Sequence, residues 1–87
     1  MSGWSWRLTP PAERDINRLD KPVVARVFGA LDKLVTNYPQ GDVVRLQGIS
    51  PPEYRLRVGD WRVRFAPEIQ DRVVYVLRVL PRGKAYR

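Results

Sequence analysis

The sequence predicts an α+β fold in a single domain, residues 1–87, in the order β-α-α-β-β-β, with a helical hairpin packed on one face of a small, mainly antiparallel sheet. Three observations predict it. Apolar residues keep a helical period between Pro10 and Tyr38, the period changes to two between Tyr54 and Phe65, and a valine-rich run follows at 73–77. A chain of 87 residues has no room for a second domain. It buries only about 60 to 65% of the surface its unfolded form exposes, so its core must be thin.

The first strand is read in Trp4-Ser5-Trp6-Arg7-Leu8-Thr9, where large apolar and polar residues alternate. Thr9 then stands where a helix N-cap would, with Pro10 at the first helical position, where its missing N–H costs nothing. Ala12, Ile16 and Leu19 give this short helix one apolar side, to about Leu19. Asp20-Lys21-Pro22 repeats the cap-and-proline signal. From Val24 the residues Val27, Phe28, Leu31, Leu34, Val35 and Tyr38 continue a helical stripe that Pro39 and Gly41 end. The loop to Pro52 holds three prolines and two glycines, with Val43-Val44-Arg45-Leu46 as an anchor back to the core. Trp4 and Trp6 suit either core or interface.

The next signal is a hairpin. Tyr54, Leu56 and Val58 alternate with Arg55 and Arg57; after Gly59-Asp60, Trp61, Val63 and Phe65 alternate with Arg62 and Arg64. Glycine opening a two-residue connection between such runs predicts a tight turn. The last strand, Arg72 to Leu80, reads as a central strand covered on both faces.

Composition narrows the function. An apolar fraction of 44% and a charged fraction of 29% fit a globular protein. No stretch approaches the roughly 18 apolar residues a spanning helix needs, and Met1-Ser2-Gly3-Trp4 lacks the charged head of a secretion signal, so a cytoplasmic protein is expected. With no cysteine and no histidine, neither a disulfide nor a metal site is expected, and no cofactor. The net charge of +7 is concentrated: residues 1–54 carry seven basic and six acidic side chains, residues 55–87 nine and three. Such a concentration points to an anionic partner, nucleic acid first and an acidic protein second.

A Gly59-Asp60 turn pairs Val58 with Trp61, Arg57 with Arg62, Leu56 with Val63 and Arg55 with Arg64, and so puts four guanidinium groups on one face. Like charges opposite one another cost roughly 0.2–1 kcal/mol per pair. Fold stability does not ask for this arrangement, whereas polyanion binding does. Seven of the eight basic residues from Arg55 to Lys84 are arginine, whose planar fork donates two parallel hydrogen bonds to a phosphate. Arg55, Arg64, Arg78 and Lys84 are the expected phosphate contacts, and Tyr86 is placed to stack on an unpaired base. The plainer alternative is a solvated face whose arginines pair with Glu53, Glu68 or Asp71. No helix offers a recognition face, since Arg26 and Lys33 mix with Asp32, so single-stranded or distorted RNA is favoured over a B-form duplex.

Leu46-Gln47-Gly48, the run Tyr54-Arg55-Leu56-Arg57-Val58-Gly59-Asp60-Trp61-Arg62-Val63, the valine-rich strand, and the closing Arg82 and Tyr86 resemble the RelE/ParE toxin superfamily of type II toxin-antitoxin systems. The resemblance covers nearly the whole chain and favours the RelE-like branch. It implies a ribosome-dependent endoribonuclease that cuts messenger RNA by attack of a ribose 2′-OH on the adjacent phosphate. The ParE-like alternative is a DNA gyrase inhibitor without nuclease activity, and a nonenzymatic RNA-binding module is the third. Carried over by position, the nuclease site comprises Arg55, Arg57, Arg62, Arg82 and Tyr86, with Arg57, Arg62, Arg82 and Tyr86 in the chemistry. The better-known RelE-like site has lysines where this chain has Arg55 and Arg57, which leaves the general base unassigned. The family also implies an antitoxin partner, acidic or partly disordered, which would fold over the arginine face or along the helices.

Overall fold

The computed structural model describes residues 3–83. Strand β1 (Ser5–Leu8) leads into helix α1 (Pro10–Asn17), helix α2 (Lys21–Thr36), and strands β2 (Val43–Arg45), β3 (Tyr54–Val58), β4 (Trp61–Glu68) and β5 (Val73–Pro81). The strands form one sheet in the order β1-β5-β4-β3-β2. β1 runs parallel to β5, and every other neighbour is antiparallel. The expected α+β order therefore holds with one strand added: the Val43-Val44-Arg45 anchor pairs with β3 and forms the sheet edge.

The helices cover one face. Ala12 of α1 and Val27, Leu31 and Leu34 of α2 meet Leu56, Val63, Phe65, Val74, Val76 and Val79 in a single buried core. Trp4 stacks on Tyr38 with ring centroids 4.0 Å apart, and Trp6 lies against Phe28 while its indole N–H donates to Asp32 at 2.9 Å. Both tryptophans thus tie β1 to the helical layer. Gly41 is constrained from two sides, with φ of 128° and a would-be Cβ 2.9 Å from a Leu56 methyl.

β5 is central but covered on one face. Val74 and Val76 are buried under the helices, whereas Tyr75 between them is 38% exposed. Its apolar run is explained by a β-bulge. Phe65 pairs with Val76 but Arg64 pairs with Arg78, so Leu77 is the extra residue and the inward parity shifts from Val76 to Val79. Thr9 serves this bulge rather than its own helix. Its hydroxyl donates to the Val76 carbonyl at 2.8 Å and makes no cap hydrogen bond. The exposed Asp20 side chain makes no cap bond either; its backbone carbonyl accepts from the Val23 and Val24 amides, each at 3.0 Å.

Candidate nucleic-acid interface

The β3–β4 hairpin builds the site. Its register pairs Val58 with Trp61, Arg57 with Arg62, Leu56 with Val63 and Arg55 with Arg64, as the alternation requires. Because Leu56 and Val63 enter the core, the four arginines lie on the face that carries no helix. Gly59 makes the turn possible, with φ of 58°.

The four differ in what holds them. Arg57 is the most open, its side chain 57% exposed and 3.9 Å from Asp42. Arg62 is only 7% exposed; its Nη1 donates to the carbonyls of Gly59 at 2.7 Å and Trp61 at 3.0 Å, folding the guanidinium onto the turn. Arg64 donates through Nη2 to Glu53 at 2.7 Å. Arg55 is half-buried on the Arg64 row. The ladder is therefore not uniformly presented: Arg64 follows the plainer expectation of pairing with Glu53, while Arg57 stays open to a ligand.

Arg82 joins them from a distant part of the chain. Trp61 pairs with Pro81, and the Arg82 amide donates to the Asp60 carbonyl at 2.8 Å. The chain leaving β5 is thus clipped to the hairpin turn, two positions beyond the row that holds Arg57 and Arg62. Three cations from β3, β4 and the end of β5 gather at one end of the sheet. Their positive field has no histidine or lysine within it among the described residues.

Arg78 behaves differently from its expected role as a phosphate contact. Its Nε and Nη2 donate to the Asp15 carboxylate at 2.8 and 3.2 Å, and the Val79 amide donates to the same carboxylate at 2.8 Å. Burial works to raise the Asp15 pKa, but the Arg78 and Val79 hydrogen bonds and the charges of Arg78 and Arg18 override it and hold the carboxyl below its ordinary value. Asp15 thus anchors the bulged segment of β5 that leads to Arg82. Its distance in sequence, 63 residues from Arg78, left no local signal of the pairing. Lys84 and Tyr86 lie outside the described residues. Among the described residues no cluster of potential metal ligands occurs.

The family model for the ParE toxin of type II toxin-antitoxin systems matches residues 6–86. The chain belongs to this toxin family. Solved structures place the toxin in the wider RelE/ParE superfamily. The RelE–RelB complex of Pyrococcus horikoshii OT3 is 27% identical, with a TM-score of 0.73 over 98% of this chain and 100% of that one. The RelBE2 complex of Mycobacterium tuberculosis is 23% identical, with a TM-score of 0.74 over 92% and 99%. The isolated E. coli RelE toxin is 16% identical, with a TM-score of 0.72 over 94% and 87%. The last two, at their identities, speak to the fold alone. No curated protein matches significantly.

Proposed function

We propose that the toxin binds single-stranded messenger RNA across its arginine face and cleaves it on the ribosome. The observation that carries this is the convergence of Arg57, Arg62 and Arg82 at the hairpin turn, where Arg57 is open and Arg82 is clipped beside it. In the reaction, O2′ of a ribose bonds to the adjacent phosphorus, the bond from phosphorus to O5′ breaks, and one proton passes overall from O2′ to O5′. The products are a cyclic phosphate and a free 5′-hydroxyl. The exposed Arg57 and Arg82 suit the charge that develops on the phosphoryl oxygens, with Arg62, held by the Gly59 and Trp61 carbonyls, adding its charge behind them, and arginine stays protonated throughout. With no histidine in the chain, the toxin's share is charge stabilisation and orientation, with Tyr86 stacking on or orienting the base, Arg55, Arg64 and Lys84 along the strand's phosphates, and the ribosome supplying geometry.

A second reading is supported by the matching family description itself, which names ParE: a gyrase-directed inhibitor using the same basic face without nuclease chemistry. Induced expression separates the two. Cleavage stops translation and leaves cut messengers by primer extension, whereas a DNA-damage response with intact messengers would replace this proposal with the second. In either case the partner we propose is an antitoxin, acidic enough to neutralise a +7 domain, and several of the similar toxins are seen bound to RelB.

A further inference from the structure

The helix-free face continues past the arginines to a cleft of about 340 Å³ at the other end of β4. Tyr54, Tyr75, Ala66, Glu68, Pro51 and Pro52 contribute to its lining. Its size sits at the small end of the roughly 300–1,000 Å³ range of ligand pockets, enough for one nucleoside.

Its chemistry is that of a base site. Tyr75 lies on the open face, 38% exposed, between two partners in the sheet: Ala66 on β4, too small to cover its ring, and Arg7 on β1. The Arg7 side chain is exposed and makes no hydrogen bond or ion pair among the described residues. Glu68 accepts a hydrogen bond from the Asp71 amide through Oε2, and its Oε1 has no partner among the described residues. A carboxylate in the wall repels phosphate but accepts from an exocyclic amino group, as acidic side chains do with cytosine N4. An aromatic ring beside an unengaged guanidinium is the combination that holds a base and its backbone. Ala66 is four residues along β4 from Arg62, about 13 Å at roughly 3.3 Å per residue. That equals about four stacked nucleotides at ~3.4 Å each.

We infer that this cleft takes one unpaired, amino-bearing base of the RNA strand, stacked on Tyr75 and read by Glu68, with Arg7 on its phosphate. The inference rests on the RNA reading of the arginine face and adds to it a base preference distant from the reacting phosphate. Uracil, which has no exocyclic amine, is disfavoured there.

The test is fluorescence anisotropy of the purified toxin with labelled octamers of adenylate, cytidylate and uridylate. The parent binds the first two more tightly than the third. Tyr75→Ser weakens the adenylate octamer roughly tenfold, Tyr75→Phe keeps the parent affinity, and Glu68→Gln keeps binding but narrows the gap to uridylate. Arg57→Ala, which probes the arginine face, weakens all three alike. If Tyr75→Ser binds like the parent while Arg57→Ala is weakened, the cleft inference is wrong and the arginine face stands. Equal parent affinity for the three octamers overturns the amino-group preference. A parent that binds none of them overturns both readings.

Discussion

Replacing Asp15 by Asn tests how the fold holds the strand that delivers Arg82. The carboxylate is buried and accepts three hydrogen bonds, two from Arg78 and one from the Val79 amide. Asparagine keeps the shape and one acceptor oxygen, but turns an amide NH2 toward a donor and removes the charge. A hydrogen bond to a charged group is worth about 1.5–3 kcal/mol; the Arg78 side chain is 43% exposed, so solvent screens its share. The expected loss is therefore about 2 kcal/mol at pH 7, or roughly 8–16 °C in Tm for a domain of this size. The effect has a direction in pH. Because the folded carboxyl lies below its ordinary value, its contribution is present above the unfolded pKa near ~3.9 and disappears as pH falls through the folded one. Circular-dichroism melts of parent and Asp15→Asn at pH 7 and at stepwise lower pH should show the Tm gap closing in acid. A gap that is absent at pH 7, or that persists unchanged in acid, refutes the assigned role.

Two further expectations concern the hairpin. Gly59→Ala meets no atom within 4 Å of its new Cβ, so its cost is the left-handed backbone alone, about 1–2 kcal/mol, seen as a lower urea midpoint with an unchanged slope. Arg57→Ala removes an open cation whose nearest carboxylate is 3.9 Å away; stability should change by less than about 0.5 kcal/mol, while the slope of log affinity for single-stranded RNA against log salt should fall by about 0.7.

The hairpin was legible because two independent signals agree there: alternation fixes which residues face the core, and a two-residue Gly-Asp connection fixes the register. The helices were legible from their apolar stripes. β2 was read as an anchor and not as a strand because three residues within a proline-rich loop carry no period of their own; its pairing to β3 is tertiary. The bulge at Leu77 was hidden by the uniform valines around it, which made β5 read as covered on both faces when Tyr75 is exposed. Thr9 carried an N-cap signature, yet β1 delivers its hydroxyl to the Val76 carbonyl, a partner set by the sheet. In the site, the gathering of Arg57, Arg62 and Arg82 follows from register and strand length. What sequence did not show is which guanidiniums stay open, because Glu53 and Asp15 take Arg64 and Arg78 across 11 and 63 residues.

The central claim is messenger cleavage by this arginine cluster. Its most direct measurement is primer extension on a reporter messenger in a purified translation reaction, with the parent toxin and with Arg57→Ala/Arg82→Ala. The expected result is a new 5′ end within the ribosome-bound codons for the parent, carrying a 5′-hydroxyl on the downstream fragment, and an intact messenger with the double variant. An intact messenger with the parent, under conditions where the same preparation blocks DNA supercoiling by gyrase, would contradict it.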